Sequence, residues 1–149
     1  GVKSLISALF QTGRPVLMCS PNGDLSDAVT AQLAIAWNGS LEASRAVAMT
    51  LDIAAAASKV TILSGGKGER NGATSEELVA YYRLRGVETE IHRFDSQNPG
   101  AVLLEKAKEI GADMLIMGAY GQNYEREMVF GGNTQEVVDT AEIPTIFVH

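Results

Sequence analysis

The chain is poor in cysteine, in aromatic residues and in positive charge. It has a single cysteine among 149 residues, so an internal disulfide is excluded and a reducing, cytoplasmic location is expected. Twelve Lys and Arg against 18 Asp and Glu give a net charge of −6, which argues against a nucleic-acid partner. No apolar run approaches the roughly 20 residues of a membrane-spanning helix, so no membrane partner is expected either.

Residues that could carry metal or nucleophilic chemistry are also sparse. His92 and His149 have no partner at the spacing of a metal site. Ser40 lies just before a predicted helix, where serine is a preferred N-cap, and no Ser-His-Asp set accompanies it. Cys19 is expected to be a buried residue at a strand end. We therefore predict no catalytic residues, no metal ligands and a protein that is not an enzyme.

Apolar and helical segments alternate along most of the chain. A composition of 46% hydrophobic and 20% charged residues is that of one globular domain. Predicted strands at 33–37, 60–63, 87–94, 113–117 and 144–148 alternate with helical patterns at 41–57, 74–86, 98–110 and 133–141. This order predicts an α/β fold, a doubly wound parallel sheet of five strands with right-handed crossovers. The half-polar strand 87–94 is expected at a sheet edge.

The first 20 residues repeat the pattern of the last ones. A helix over 4–12, a Gly-Arg-Pro turn and an apolar strand resemble the helix, Glu-Ile-Pro turn and strand that close the chain. We expect residues 1–20 to be the tail of a preceding similar domain, 21–30 a linker and 31–149 the main domain. Because Gly stands where Met would start a protein, a processed product, a tag remnant or a fragment is expected.

The final apolar strand, Pro144–Val148, would be a liability with a bare edge. We therefore predict that it pairs antiparallel with Val16–Cys19, either of the same chain or of a partner.

A glycine-rich segment follows the most apolar strand. Gly118-Ala119-Tyr120-Gly121 is separated by nine residues from Gly131-Gly132, which opens the last helix. Glycine allows positive φ or close approach to a ligand, and a helix N-terminus favours an anion. Strand-to-helix turns at the carboxyl edge of a parallel sheet are common nucleotide sites. The sequence therefore predicts a phosphate cradle built from main-chain N–H groups.

A second glycine cluster, Gly65-Gly66-Lys67-Gly68, does not have the spacing of a phosphate-binding loop. Thr61 stands where that motif requires its first glycine, and Gly68 where it requires Ser or Thr. We predict a surface loop over 65–73, followed by a capping box of Thr74 and Glu77.

The pattern G-x-x-G, nine residues, then G and a small residue resembles the nucleotide-binding signature of the universal stress protein family. The segment 36–40 is similar to the first strand and turn of that family, and 112–118 is similar to its fourth strand. Residues 9–17 resemble the end of the preceding domain in its tandem, two-domain members.

This resemblance implies a sheet of strand order 3-2-1-4-5, often dimeric through the fifth strands, with ATP between strands 1 and 4. By the same resemblance, Asn38 replaces an Asp that contacts the nucleoside, and a backbone group at Gly65 meets adenine. Met117 and Gly118 would lie along the base and ribose. The phosphates would be surrounded by Gly121, Gly131, Gly132 and Thr134.

The sequence departs from the family pattern at the phosphate end. Gly132 stands in the usual Ser or Thr position, with Thr134 as a possible substitute. The loop 122–130 carries Glu125 and Glu127 against one Arg126, so its charge is unfavourable for a triphosphate.

These observations lead to one main hypothesis and two alternatives. The main one is a stress-response sensor or switch that binds ATP or a related adenine nucleotide, with Mg as a possible companion and at most weak ATP hydrolysis. The second is an interaction module of the same fold without nucleotide, which forms a homodimer or a tandem pair through the last strand. The third is a small flavin- or nucleotide-dependent enzyme.

Overall fold

The structure, a computed structural model, describes residues 2–19, 32–65, 72–95, 99–119 and 133–149. The predicted linker 21–30 lies outside these residues. Among the described helices, none combines the length and the apolar character that a membrane span requires. The helices are α1 (Val2–Thr12), α2 (Leu41–Met49), α3 (Leu51–Ala56), α4 (Ser75–Arg83), α5 (Pro99–Glu109) and α6 (Asn133–Thr140). The strands are β1 (Val16–Met18), β2 (Gln32–Trp37), β3 (Lys59–Gly65), β4 (Thr89–Phe94), β5 (Met114–Gly118) and β6 (Thr145–Val148).

The strands form one mixed sheet in the order β1-β6-β5-β2-β3-β4. Strands β2 to β6 are parallel to one another. Counted from β2, their order is the 3-2-1-4-5 that the resemblance implied, so this prediction is confirmed. Strand β4 lies at one edge, as its half-polar pattern predicted.

The other edge is formed by β1, which makes the sheet six-stranded. It runs antiparallel to β6, with Val16 opposite Phe147 and Met18 opposite Thr145. The predicted pairing of the last strand therefore occurs within this chain. Cys19 follows the end of β1 and is exposed, so the expectation of a buried cysteine was wrong.

The sheet is covered by helices on both faces, and each face has its own hydrophobic core. One face, which we call the α2 face, carries α2, α3 and α4, whose apolar residues pack with Ile35 and Ile116. The opposite face, the α6 face, carries α1, α5 and α6, which pack with Ala34 and Leu115. The cores separate because successive side chains of a strand point to opposite sides.

The helix predicted over 41–57 is interrupted at Thr50, which separates α2 from α3. The Thr50 hydroxyl donates to the carbonyl of Ala46 at 2.6 Å, and its backbone N–H bonds to Val47 O rather than continuing the α-helical pattern. Such back-bonding by a threonine competes with the regular helix. The prediction of one continuous helix was therefore wrong in this detail.

The predicted capping box of α4 is confirmed. The Glu77 N–H donates to Thr74 Oγ1 and the Thr74 N–H donates to Glu77 Oε2, both at 3.1 Å. The turn after this helix reaches Gly86, whose φ of 78° suits a residue without a side chain. On the buried side of α4, Tyr82 is fully enclosed, and this burial raises the pKa of its hydroxyl.

Candidate functional site

The chain leaves adjacent strands β2 and β5 toward opposite faces of the sheet. The two strands are paired in parallel, with Ile35 opposite Ile116. Strand β2 leads into α2 on the α2 face, whereas the next described element after β5 is α6 on the other face. Connections that diverge from neighbouring strands open a crevice above the carboxyl ends of those strands, where ligands of doubly wound sheets bind. The predicted nucleotide position coincides with this topological switch point.

The turn from β2 into α2 is fixed by side-chain hydrogen bonds. Ser40 caps α2, because its Oγ accepts from Ala43 N at 3.1 Å. The Ser40 N–H donates to Oδ1 of Asn38 at 3.0 Å. Asn38 is exposed, so the group that its side chain can offer to a ligand is the NH₂ donor.

Replacing the cap, Ser40→Ala, is expected to lower the free energy of unfolding by about 1 kcal/mol, the usual contribution of an N-cap serine. Urea denaturation would measure the loss. The matched control is Ser44→Ala in the same helix, where the hydroxyl donates to Ser40 O without capping the terminus. Equal stability of the two variants would contradict a capping role for Ser40.

The N-terminus of α2 already has a negative partner. Glu42 lies in its first turn and is buried, with 8% of its surface exposed. A carboxylate at this position is stabilised by the positive end of the helix dipole. An anionic ligand would meet this carboxylate at the second residue of α2, whereas in α6 the first three residues, Asn133-Thr134-Gln135, are uncharged and the first acidic residue is the fourth, Glu136.

Gly118, at the end of β5, is in tight contact with α2. A Cβ atom at this position would lie 2.6 Å from Ala43 N and 2.6 Å from the carbonyl carbon of Glu42. The structure therefore requires glycine here because the helix backbone lies directly on the strand. Met117, the preceding residue, is buried on the α6 face. The nucleotide contacts of both residues stay predictions.

Gly65 belongs to β3, since it extends the ladder with β4 opposite Phe94. The prediction that the loop begins at Gly65 was therefore wrong. A Cβ atom on Gly65 would lie 2.2 Å from Cζ of the Phe94 ring. The ring therefore occupies the space that a side chain at position 65 would take. Phe94 was not among the residues predicted for the site, because its contact with Gly65 joins two strands that are distant in sequence.

The α2 face of the crevice is closed by the segment 72–74. Trp37 is buried and its Nε1–H donates to the carbonyl of Ala73 at 3.0 Å. Gly72 lies against the turn after β2, since a Cβ atom there would meet the carbonyl oxygen of Gly39 at 1.9 Å. Trp37 thus belongs to the hydrophobic core of the α2 face and forms a wall of the crevice.

The β6 side of the crevice is also filled. The ring of His149 places Nδ1 at 3.0 Å from the carbonyl oxygen of Ala119 and packs on Phe10 with ring centroids 4.0 Å apart. Ala119 itself is 1% exposed. These contacts bind the end of the chain to the start of the glycine segment.

Part of the predicted site lies outside the described residues. This applies to Gly121, Gly131 and Gly132, to the loop 122–130 and to the side chain of Thr134, whose backbone is in the first turn of α6. Their roles stay predictions. Within the described ranges, no three His, Cys, Asp or Glu side chains come together as a metal site.

Comparison with known families identifies the fold. Residues 64–149, more than half of the chain, match the model of the Universal stress protein family. The chain belongs to this family. Among curated proteins no match was found.

Solved universal stress proteins share the architecture. One from Archaeoglobus fulgidus DSM 4304 superposes with a TM-score of 0.70 at 20% identity, covering 90% of this chain and 49% of the other. The chain thus spans about half the length of that relative. A universal stress protein in complex with cAMP gives a TM-score of 0.61 at 18% identity, and one from Archaeoglobus fulgidus in complex with dAMP gives 0.56 at 19%. In both comparisons the matched region covers 81% of this chain and 98% of the other chain. Identities this low establish the fold alone.

Proposed function

We propose that this universal stress protein domain binds ATP or a related adenine nucleotide above the carboxyl ends of β2 and β5. The observation that carries the proposal is the divergence of the chain at this point, from β2 to the α2 face and from β5 toward the α6 face. The resulting crevice is bordered by the exposed amide of Asn38, and ligands of doubly wound sheets bind at such a point.

The charges around the crevice favour one orientation of the ligand. Glu42 already matches the helix dipole of α2, so the phosphates are expected at the start of α6, where the residues Asn133–Gln135 are uncharged. Main-chain N–H groups of Gly121 and of Gly131 through Thr134 would hold the phosphates there. Mg²⁺ bound with ATP would offset the negative charge of the loop that contains Glu125 and Glu127.

The chemistry of the relatives is consistent with an adenine ligand. The two universal stress proteins solved with cAMP and with dAMP each hold an adenine nucleotide. In this chain the described crevice residues offer an amide, glycines and apolar side chains, which can bind a nucleotide. The two titratable side chains beside them are engaged elsewhere, Glu42 buried at the N-terminus of α2 and His149 in contact with the carbonyl of Ala119. We therefore propose a sensor or switch in the stress response rather than a hydrolase.

Addition of ATP with Mg²⁺ at millimolar concentration is expected to raise the melting temperature, because a ligand that binds only the folded state stabilises it by mass action. At a hundred times the Kd the gain is about 2.7 kcal/mol. Differential scanning fluorimetry would measure the shift, with inorganic phosphate at equal ionic strength as the reference for a general salt effect.

The matched variants for this experiment are Asn38→Ala, at the crevice, and Gly131→Val, in the predicted phosphate turn. Both should reduce the shift. The proposal fails if saturating ATP leaves the melting temperature of the native protein unchanged and Gly131→Val behaves identically.

An alternative function, an interaction module without nucleotide, is favoured by a different observation. The outer edge of β6 is covered by β1, which pairs with it antiparallel. Since the chain covers that edge itself, pairing through the last strand is expected to remain within the chain, and a homodimer through β6 would require β1 to leave. A protein that shows no ATP-dependent shift but associates when β1 is removed would support this alternative.

A further inference from the structure

The turn between β2 and α2 contains an asparagine followed by a glycine. In this pair the side-chain amide is lost more readily than before other residues, by attack of the next main-chain nitrogen on the amide carbon. The sequence contains three such pairs, Asn22-Gly23, Asn38-Gly39 and Asn71-Gly72. Of these, Asn38-Gly39 is the one that lies wholly within the described ranges. The structure therefore shows how the reacting groups of this pair are arranged in the fold.

The fold requires glycine at position 39. Its φ of 74° is a left-handed conformation that a residue with a side chain rarely adopts. The carbonyl oxygen of Gly39 lies against Gly72, since a Cβ atom on Gly72 would be 1.9 Å from it, so the turn is also held by packing. A glycine has no side chain to shield its main-chain nitrogen. The residue that shapes the turn is therefore also the residue that leaves the nucleophile accessible.

The side chain of Asn38 is held in position for the attack. Its Oδ1 accepts from the Ser40 N–H at 3.0 Å, which is the i to i+2 hydrogen bond of an Asx turn. Such a turn folds the amide carbon Cγ back over the peptide that joins Asn38 to Gly39, and the nitrogen of this peptide is the nucleophile. Because Asn38 is exposed, water can reach both the amide carbon and the leaving nitrogen.

The same hydrogen bond stabilises the transition state of the attack. When the Gly39 nitrogen adds to Cγ, negative charge develops on Oδ1, the atom that the Ser40 N–H already contacts. A donor placed in advance at a developing oxyanion stabilises the transition state more than the ground state. The usual net strength of one hydrogen bond corresponds to a rate factor of roughly two to ten.

We propose that Asn38 deamidates in the folded protein, assisted by the Ser40 N–H. Base in the solvent removes the proton of the Gly39 nitrogen, which then forms a bond with Cγ of Asn38. The Cγ–Nδ2 bond breaks, and the side-chain nitrogen takes a proton from water and leaves as ammonia. Water then opens the resulting succinimide ring at either carbonyl. The products are aspartate at position 38 and isoaspartate, in which the main chain continues through the former side chain. No oxidant or reductant takes part.

The reaction would change the border of the candidate crevice, and this consequence, unlike the deamidation itself, rests on the proposed function. The amide of Asn38 offers an NH₂ donor, whereas a carboxylate only accepts and carries a negative charge. The new charge would add to that of Glu42 in the first turn of α2. A ligand group that accepts a hydrogen bond from Asn38 would therefore lose its partner as the protein ages.

Tandem mass spectrometry after incubation of the native protein at mildly alkaline pH tests the reaction, with an isoaspartyl methyltransferase assay to detect the isoaspartate product. The matched reference is the chain unfolded in urea, in which the three Asn-Gly pairs should convert at similar rates. We expect Asn38 to convert at least as fast in the folded protein as in the unfolded chain. Slower conversion in the folded protein would mean that the fold protects Asn38, and the proposal would be overturned.

Two variants isolate the Ser40 N–H. Both lose the hydroxyl that caps α2, but Ser40→Ala keeps the main-chain N–H and Ser40→Pro removes it. The φ of −75° at Ser40 is one that proline adopts, and urea denaturation would check that both variants are folded. Conversion of Asn38 should be roughly twofold to tenfold slower in Ser40→Pro than in Ser40→Ala. Equal rates in the two folded variants would refute the assistance by the N–H.

The consequence for the crevice has a separate measurement. The ATP-dependent rise in melting temperature should differ between fresh and converted protein, and Asn38→Asp supplies one product in homogeneous form. An equal rise in all three samples would overturn the effect on the ligand contact. Fresh protein without any rise would refute the proposed function, whereas the mass spectra decide the deamidation independently of any nucleotide.

Discussion

Deletion of residues 1–19 is expected to convert the protein into a strongly destabilised, self-associating one. The deletion removes β1 and leaves the outer edge of β6 without a partner along Thr145–Phe147. This exposed strand would be apolar and fully able to pair with another copy, which is the typical origin of edge-to-edge association. It also removes α1, whose Leu5 and Leu9 are 7% and 1% exposed in the core of the α6 face.

The loss of α1 alone should be large. A single buried leucine truncated to alanine typically lowers stability by about 2–5 kcal/mol, whereas a whole domain is stable by about 5–15 kcal/mol. Losing two such side chains together with a strand therefore removes much of the available stability. Light scattering coupled to size exclusion would measure association, and urea denaturation would measure stability.

Two full-length variants separate the edge from the core. Leu9→Ala keeps β1 and should be destabilised yet monomeric at the same concentration. Leu17→Lys changes an exposed residue, 44% accessible, in the middle of β1 and should change neither property. A deletion variant that stays monomeric and as stable as the native chain would refute the role of β1 as the cover of β6.

The order of elements followed from the sequence because several local signals agreed. Apolar runs too short for helices marked the buried strands, and strong caps marked helix starts at Ser40 and Thr74. The alternation of strands and helices then permitted few topologies, since parallel crossovers are right-handed. The pairing of β1 with β6 followed from the apolar character of the last strand, whose edge would otherwise be bare.

The errors came from interactions that depend on tertiary contacts or on a single side chain. The helix after β2 breaks because the Thr50 hydroxyl bonds to Ala46 O, which a run of helix-forming residues does not reveal. Gly65 was assigned to a loop because glycine is depleted in strands, but pairing with Phe94 in β4 keeps it in the sheet. Cys19 was expected to be buried as an apolar residue, but β1 ends before it.

For the candidate site, the sequence located the crevice but not its walls. The glycine pattern and the strand order together pointed to the ends of β2 and β5, and the structure places the topological switch there. Three features required the fold. These are the closure of the α2 face by Trp37 and Ala73, the filling of the β6 side by His149, and the Phe94 ring on Gly65. Each joins residues that are distant in sequence, so no local pattern could encode it.

Glycine at position 118 links the architecture to the candidate site, and its replacement is expected to damage both. In Gly118→Ala the added Cβ would lie 2.6 Å from two backbone atoms of α2, and neither can move without the helix. Overpacking of this kind lowers stability by about 1–3 kcal/mol and occasionally by more. Because the obstacle is backbone rather than a side-chain tip, we expect about 3 kcal/mol or more, measured by urea denaturation.

The same substitution at another glycine separates steric contact from backbone strain. In Gly86→Ala the added Cβ lies in open space, so there is no steric contact. The backbone has a φ of 78° there, and this left-handed conformation costs an alanine about 1–2 kcal/mol of stability. Gly118→Ala should be clearly less stable than this control. Because α2 carries the Ser40 cap that holds Asn38 at the crevice, displacement of the helix should also reduce the ATP-dependent rise in melting temperature, whereas Gly86→Ala should retain it. Equal losses of stability in the two variants would show that the position of α2 does not depend on the absence of a side chain at residue 118. The close approach of α2 to β5 would then not be what positions the crevice.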